Sequence, residues 1–285
     1  MAENKASVSA GGVAMLRAIE TEKPEALRVC SDPLAAAMAP RYSPFMLWIT
    51  KAILRTDFYD RLSSGAVGMI VARERYIDDF LKARLSEGLD QVVLLGAGFD
   101  TRAYRTPGIE KTRVFEIDQP ATQADKVERL KKAINTLPAN VTFLPVDFNT
   151  QTLAERLLSS GYNEKGKTLF IWQGVTYFLT AEGVDNTLRY IANHSGSGSS
   201  VIFDYMYTET LHSKRMQQAA KMSGEPYIFG IDADQIRTFL TERGFGDVES
   251  KEFEELKKIY FIGKNAGRRV PTGIAIASAR VDNAH

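Results

Sequence analysis

Five short, continuously apolar runs are the feature that most constrains the fold of this 285-residue chain. Runs of this kind predict strands that are buried on both faces, as in a parallel sheet, whereas alternating runs predict a sheet with one solvated face. Helical patterns separate most of the runs, which predicts a doubly wound α/β sheet whose ligand binds at the carboxyl ends of the strands. The predicted strands cover residues 91–95, 113–117, 141–144, 168–172 and 200–203.

Helical periodicity accounts for most of the remaining chain. Residues 65–85 carry apolar side chains along one side and form the clearest predicted helix. After the fifth strand, a segment rich in Met and Tyr precedes another predicted helix and two further strand candidates. The other predicted helices cover residues 119–134, 150–160, 181–192 and 232–243, and the further strand candidates cover residues 247–253 and 273–281.

These patterns predict two parts of the chain. We expect an N-terminal helical segment over residues 1–88 that covers the active site. We expect a Rossmann-like core over residues 89–285, mostly parallel and with helices on both faces, which binds the ligand. A cap insertion at about residues 205–230, before the last helix, is expected to contact the substrate.

Composition excludes several classes of protein. The formal net charge of +1 gives no electrostatic reason to expect a nucleic-acid partner. The single cysteine, Cys30, cannot form an internal disulfide, which suits a reducing compartment. The N-terminus lacks the pattern of a signal peptide, and no apolar stretch reaches the length of about 20 residues that spans a bilayer. We therefore expect a cytoplasmic protein without a membrane partner.

A tight turn follows the first predicted strand. Gly96 and Gly98, with Ala97 between them, let the backbone approach a ligand that a Cβ would block, although a plain turn is the alternative. A dinucleotide fingerprint needs a small third residue where Thr101 stands. Asp100 puts a carboxylate where a pyrophosphate would lie. A carboxylate suits a cationic ligand, and S-adenosylmethionine carries both an ammonium and a sulfonium group.

The ends of the following strands carry acids and an amide. Glu116 or Asp118, at the end of the second strand, is expected to receive the ribose hydroxyls of a nucleoside. After the third strand, Asp147 is expected to accept the adenine amino group, with a helix cap as the alternative, and Phe148 to stack on the ring. Gln173 follows the fourth strand. The sequence therefore predicts a nucleoside-binding edge of the sheet.

Several sequence blocks resemble a known family. The specific blocks are Ala72-Arg-x-Arg-x-Ile-Asp78 and Leu95-Gly-Ala-Gly-x-Asp-Thr-Arg102. The supporting blocks are Ala14-x-x-Arg-Ala-x-Glu20, Ser31-Asp-Pro33, Phe115-Glu-Ile-Asp118 and Trp172-Gln-Gly-Val-Thr-Tyr177. Nearly the whole chain resembles the leucine carboxyl methyltransferase superfamily, and within it the bacterial polyketide carboxyl O-methyltransferases of the tetracenomycin type.

The resemblance implies an S-adenosyl-L-methionine cofactor and roles for individual residues. Arg73 would pair with the methionyl carboxylate of the cofactor, a contact that a planar guanidinium makes well. Gly96 and Gly98 would line the cofactor, Asp118 would hold the ribose, and Asp147 with Phe148 would flank the adenine. Two residues depart from the family pattern. Arg17 falls where related enzymes carry a lysine near the methionyl carboxylate, and Gln173 falls where a glutamate is frequent.

The resemblance also implies methyl transfer to oxygen, by in-line displacement, on a carboxylate of a polyketide-like small molecule. A carboxylate with a pKa of about 4 is ionised at neutral pH, so the reaction needs no general base. This agrees with the sequence, because the three histidines are scattered and no cluster indicates a metal site. Gln173 and Tyr177 are the candidates for side chains near the methyl acceptor.

Substrate specificity is expected in the cap insertion. Tyr205, Tyr207 and Tyr227 are predicted to form part of an aromatic wall for a bulky substrate, and packing inside the cap is the alternative. The sequence does not distinguish a monomer from a homo-oligomer. One alternative function is a cofactor-binding protein without transfer activity, which the unusual Gln173 would suit. The other is a nicotinamide-dependent oxidoreductase, which Asp100 and Thr101 disfavour.

Overall fold

In the part of the chain that the structure describes, seven strands form one sheet in the order β3-β2-β1-β4-β5-β7-β6. The structure is a computed structural model, and it describes residues 7–40, 52, 65–146, 152–223 and 226–282. Neighbouring strands from β3 to β5 run parallel, which confirms the predicted, mostly parallel α/β sheet. The strands are β1 (Gln91–Leu95), β2 (Arg113–Asp118), β3 (Val141–Pro145), β4 (Thr168–Trp172), β5 (Ser200–Met206), β6 (Phe245–Glu252) and β7 (Ile274–Val281).

The continuous apolar runs are explained by burial on both faces of the sheet. Every residue of β1, β4 and β5 is buried. Successive side chains of a strand point to opposite faces, so Val93 and Leu95 enter one core while Val92 and Leu94 enter the other. Both faces of the sheet are therefore covered.

Different helices pack on the two faces of the sheet. The core that contains Val93 also receives buried side chains from α6, α7 and α10, and the core that contains Val92 receives them from α3 and α11. The described helices of four or more residues are α1 (Val8–Thr21), α2 (Ala35–Met38), α3 (Ala66–Ser86), α4 (Arg102–Arg105), α5 (Pro120–Ala133), α6 (Leu153–Ser159), α7 (Ala181–Asn193), α8 (Thr208–Leu211), α9 (Lys214–Ser223), α10 (Ile236–Thr241) and α11 (Phe253–Tyr260).

Local sequence signals fix several of the helix ends. Thr152 begins α6 with a capping box, in which its hydroxyl accepts from the Glu155 N–H and the Glu155 carboxylate accepts from the Thr152 N–H. Pro120 stands in the first turn of α5, where its missing N–H costs no hydrogen bond. These signals agree with the predicted helices.

The chain after β5 differs from the prediction in two helices. The predicted helix at 232–243 is shorter, because α10 begins only at Ile236 and turns precede it. Between β6 and β7 lies α11, which was not predicted, so the insertion precedes two later helices rather than one. Phe253 and Leu256 of α11 are fully buried, and Glu252 with Glu255 closes a capping box at its start. Apolar residues three apart, after an acid, were the signal for this helix.

The last strand reverses the direction of the sheet. β7 runs antiparallel to both of its neighbours and lies between β5 and β6, with Ser200 opposite Arg280 and Met206 opposite Ile274. β5 continues to Met206, beyond its predicted end at residue 203. Tyr205 and Met206 therefore belong to the sheet and not to the insertion.

Candidate active site

The order of the sheet reverses between β1 and β4, since β2 lies on one side of β1 and β4 on the other. In an α/β sheet the loops diverge at such a switch point and leave a crevice at the carboxyl ends of the strands. Gly96 follows β1 and Gln173 follows β4, so both stand at this crevice. Both residues, like Asp100 and Asp118, remain partly exposed although the strands before them are buried.

The glycine turn approaches its neighbours too closely for side chains. Gly96 has φ +65°, and a Cβ there would lie 2.4 Å from Cγ2 of Val175. Gly98 has φ +44°, and a Cβ there would lie 3.4 Å from Cβ of Ala10 and 3.9 Å from the carbonyl oxygen of Gly96, both ordinary contact distances. The N–H of Ala97 donates to the carbonyl oxygen of Ile117 at 2.9 Å, which ties the turn to β2. The turn is thus fixed, and its Gly98 side is the more open one.

Two acids of β2 occupy different environments. Oδ2 of Asp118 accepts from the Gly98 N–H at 2.5 Å, and its Oδ1 accepts from the Gln119 N–H at 2.7 Å. Burial raises the pKa of Asp118, and these two backbone bonds oppose that rise. Glu116 is fully buried in an ion pair with Nζ of Lys126 at 2.8 Å, away from the crevice. Of the two acids, the structure places Asp118 at the crevice.

Arg73 is buried beside an acid that the sequence analysis did not select. Its Nη1 lies 2.5 Å from Oδ2 of Asp204 and 3.5 Å from the Tyr177 hydroxyl. Oδ1 of Asp204 accepts from the Gly174 N–H at 2.6 Å, which ties β5 to the loop after β4. Burial alone would lower the pKa of Arg73, but Asp204 and Tyr177 together raise it above its ordinary value, so the guanidinium stays charged. Its Nε is buried and has no hydrogen-bond partner among the residues that the structure describes.

Arg102 is fully buried below the crevice and contacts several charged side chains. Its Nε lies 2.7 Å from Oδ1 of Asp78, its Nη2 lies 3.0 Å from Oε2 of Glu74, and its Nη1 also pairs with Asp100. Nη1 further donates to Oε1 of Gln173 at 2.8 Å. Burial raises the pKa of Glu74, but the surrounding arginines lower it more, so Glu74 remains ionised. The guanidinium therefore holds Asp100 and Gln173 in place.

Two further arginines extend this buried network. Nε of Arg17 lies 3.1 Å from Oδ2 of Asp32, and Nη1 of Arg105 lies 2.7 Å from Oδ2 of Asp78. Three guanidinium groups thus face four carboxylates, which leaves one negative charge in excess. The members are Arg17, Arg102, Arg105, Asp32, Glu74, Asp78 and Asp100. Because the excess is negative, the network favours a cationic ligand beside Asp100.

An apolar cavity of about 320 Å³ lies among residues after β5. Its lining comprises Leu211, Met216, Gln217, Ala220, Pro226 and Tyr227. The ring of Tyr227 stacks on Phe178 at 5.0 Å and lies 5.6 Å from the ring of Tyr177. The Tyr177 hydroxyl is also the one near Arg73, so the rings of Tyr227 and Tyr177 connect this cavity to the Arg73 side chain.

The three tyrosines predicted to line the substrate wall are not brought together. Tyr205 is fully buried within β5, and its hydroxyl lies 3.0 Å from Oγ of Ser250. Tyr207 donates to Oε1 of Glu252 at 2.8 Å. Both pack on the core that contains Val93, whereas Tyr227 packs on the opposite one. Tyr227 therefore lies apart from the other two, so the three tyrosines do not form one common wall.

Another cavity, of about 540 Å³, lies between α3 and the segment before α2. It is lined in part by Arg28, Cys30, Lys82 and Arg105, and none of the predicted cofactor residues that the structure describes belongs to its lining. The predicted adenine contacts Asp147 and Phe148 lie outside the described residues.

Within the described ranges there is no group of three or more His, Cys, Asp or Glu side chains that could hold a metal ion. None of the helices described is both long and apolar enough to span a membrane.

Comparison with known proteins gives consistent matches. Residues 10–192 match the model of the family described as leucine carboxyl methyltransferase. The chain is 34% identical over 199 residues to YktD of Bacillus subtilis, a candidate S-adenosyl-L-methionine-dependent methyltransferase, and the match covers 67% of this chain and 65% of that protein. A protein named in the same way, SCO7813 of Streptomyces coelicolor, is 35% identical over 192 residues, with 67% and 66% covered. The chain thus spans just under two thirds of the length of these relatives.

A solved structure shares the fold. It is phosphoethanolamine N-methyltransferase 2 of Haemonchus contortus in complex with phosphomonomethylethanolamine and S-adenosylhomocysteine. The TM-score is 0.50 at 12% sequence identity, with 73% of this chain and 52% of that chain covered. At this identity the likeness concerns the fold alone.

Proposed function

Because this chain belongs to the leucine carboxyl methyltransferase family, we propose that it is an S-adenosyl-L-methionine-dependent O-methyltransferase that methylates a carboxylate of a small molecule. The observation that carries the proposal is the pairing of two features across one crevice. On one side stands the glycine turn with Asp118, and on the other stands the buried Arg73, whose Nε finds no hydrogen-bond partner in the described part of the chain. A ligand with sugar hydroxyls at one end and a carboxylate at the other fits both.

The residues present fit this cofactor. The side chain of Asp118 can accept from the ribose hydroxyls, and the open side of Gly98 leaves room where a Cβ would otherwise stand. Nε of Arg73 can donate to the methionyl carboxylate, which would satisfy a buried donor. Gly96 and Ala97 would line the cofactor. When bound, S-adenosyl-L-methionine supplies a methyl group on a sulfonium sulfur.

The excess negative charge below the crevice supports the cationic part of this ligand. Asp100 is held by Arg102, and 12% of its side-chain surface remains exposed. Burial raises the pKa of Asp100, but Arg102, Lys126 and Arg17 together lower it below its ordinary value, so the group is ionised at neutral pH. A fixed carboxylate at this point attracts an ammonium or a sulfonium without reorganising when the ligand enters.

The acceptor requires alignment rather than proton removal. A carboxylic acid with a pKa of about 4 is already ionised at neutral pH. Tyr177 is buried, which raises the pKa of its hydroxyl, so it remains a neutral hydrogen-bond donor. Among the histidines, His194 is engaged elsewhere, because its Nδ1 lies 2.6 Å from Oε1 of Glu164. We propose that Tyr177 and Gln173 orient the acceptor and that the aromatic layer around Tyr227 keeps water away.

The acceptor that we propose is an aromatic small molecule. The cavity beside Tyr227 is apolar and bounded by aromatic rings, which suits a polyketide-like acceptor of the tetracenomycin type. Residues 1–88 would cover the active site, and residues 89–285 would form the core that carries the cofactor. The oligomeric state is not part of the proposal.

Calorimetry and a transfer assay test the proposal. Wild-type protein is titrated with S-adenosylmethionine, S-adenosylhomocysteine and NADH, and is then incubated with methyl-labelled cofactor and aromatic carboxylic acids. We expect both adenosyl ligands to bind, NADH not to bind, and label to appear as a methyl ester. Binding of NADH alone would overturn the cofactor assignment. Cofactor binding without transfer to any oxygen acceptor would indicate a binding protein that does not catalyse.

A further inference from the structure

Gln173 connects the crevice to the buried network through both ends of its amide. Its Oε1 accepts from Nη1 of Arg102 at 2.8 Å, and its Nε2 donates to Oε2 of Glu74 at 3.2 Å. Glu74 is fully buried, whereas Gln173 is partly exposed at the end of β4. The two side chains therefore contact the same guanidinium, one from the interior and one from the crevice.

This arrangement determines where a negative charge can stand. Glu74 already neutralises the inner edge of Arg102, with Oε2 at 3.0 Å from Nη2. A carboxylate at position 173 would face the Glu74 carboxylate at the distance that a hydrogen bond now spans, and two buried like charges at that distance repel strongly. An amide instead gives one acceptor to Arg102 and one donor to Glu74.

We infer that Glu74 and Gln173 form a charge-matched pair, in which the carboxylate is kept in the interior so that position 173 adds no negative charge to the crevice and admits an anionic acceptor. The inference rests on the proposed function and deepens it by assigning a selectivity for acceptor charge to position 173. Glu74 is a positioning residue in this scheme, because it acts through Arg102 and Gln173 rather than on the substrate.

Exchanging the two residues isolates the position of the charge. The double variant Glu74→Gln/Gln173→Glu keeps the net charge and the composition of the chain, and it still gives Arg102 one carboxylate and one amide. Each single variant lacks this balance, because Glu74→Gln leaves two amides and Gln173→Glu leaves two carboxylates. We expect both single variants to lower the melting temperature and the double variant to recover most of the loss.

Binding measurements then report the charge in the crevice. S-adenosylmethionine carries a sulfonium that S-adenosylhomocysteine lacks, so the ratio of their dissociation constants senses a charge near the sulfur. In the double variant we expect this ratio to shift on the order of tenfold toward S-adenosylmethionine. The KM of a carboxylate acceptor should rise by a comparable factor, while the KM of a neutral phenol of the same ring size should change little.

The outcomes are separable. A double variant as unstable as the less stable single variant would overturn the pairing. A stable double variant with an unchanged affinity ratio and unchanged KM values would overturn the selectivity, leaving the pair with a purely structural role. Failure of the wild-type protein to bind either adenosyl ligand would contradict the proposed function instead, and the unfolding measurements would still decide whether positions 74 and 173 are coupled.

Discussion

The Oδ2 atom of Asp118 accepts a hydrogen bond from the backbone N–H of Gly98 at 2.5 Å, so the end of β2 and the turn after β1 form one unit. The acid proposed for the ribose also holds the glycine turn proposed to line the cofactor. A change at Asp118 should therefore affect both contacts.

Replacing Asp118 tests this double role. We expect Asp118→Ala to weaken S-adenosylhomocysteine binding by about 1.5–3 kcal/mol, the scale of hydrogen bonds to a charged group. Asp118→Asn should lose less, because an amide oxygen still accepts one bond. Calorimetry at neutral pH measures both variants. The exposed Asp234→Ala serves as the matched control and should bind like the wild type. Equal affinities for all four proteins would remove Asp118 from the site.

Breaking the buried pair of Arg73 and Asp204 should cost stability. Asp204→Asn leaves the guanidinium without a counter-charge in the interior, and we expect a loss of about 3–5 kcal/mol in the free energy of unfolding. Urea denaturation measures this loss. Glu128→Gln removes the exposed ion pair with Lys132 and should cost less than about 1 kcal/mol. Similar midpoints for the two variants would argue against a stabilising role of Asp204.

Gly96 and Gly98 offer a matched comparison of close approach. Both have positive φ, so alanine at either position should cost about 1 kcal/mol through backbone strain. Only at Gly96 would the new Cβ also meet Val175 at 2.4 Å, and this side chain is too short to move aside easily. We expect Gly96→Ala to be clearly the less stable variant in thermal melts, and Val175→Ala in the same chain to recover part of the loss.

Glu20 should make stability depend on acid pH. Burial alone would raise its pKa, but Arg268 and Lys23, both at 2.8 Å, lower it below the ordinary value of 4.5. A lowered folded-state pKa means that Glu20 stabilises the fold fully above the unfolded value and loses this effect as pH falls through the folded one. The difference in unfolding free energy between wild type and Glu20→Gln should therefore be largest near pH 7 and shrink below about pH 4.5. A difference that stayed constant down to pH 3 would contradict this linkage.

The rate profile should show no enzyme base. For a carboxylate acceptor, the acidic limb of kcat/KM should follow the acceptor's own pKa of about 4. Tyr177 should add no basic limb near neutrality, because burial raises the pKa of its hydroxyl. His212→Gln should leave the profile unchanged. A limb near pH 7 that disappeared in a folded histidine variant would require a different mechanism.

The sequence predicted the sheet well because its strands are buried on both faces and so carry continuous apolar runs. It missed Asp204 because a single acid inside an apolar strand gives no sign of its partner, and Arg73 lies 131 residues away. Glu74 was missed for the same reason, as its partners come from α4 and the loop after β4. Long-range pairing of charges is set by the fold and is not visible in local spacing.

Other differences had a local signal. The spacing of Phe253 and Leu256 after an acidic cap indicates α11, although the segment is only eight residues long. Tyr205 was expected in the insertion because the predicted strand ended at residue 203. Its pairing with Ala275 of β7 extends β5 and fixes the ring inside the core. A strand end set by a distant partner cannot be located from the strand's own residues.

The position of β7 between β5 and β6 has a consequence for synthesis on the ribosome. The strands from β3 to β5 pair among themselves and can assemble once residue 206 has left the exit tunnel. β6 emerges next, but its described ladder is with β7 alone, so it has no place in the sheet until residues 274–281 follow. β5 and β6 therefore stay unpaired with each other while the residues of α11 are synthesised. β7 is thus the last of the described strands to be synthesised, and a chain released before residue 274 would leave β5 as an open edge.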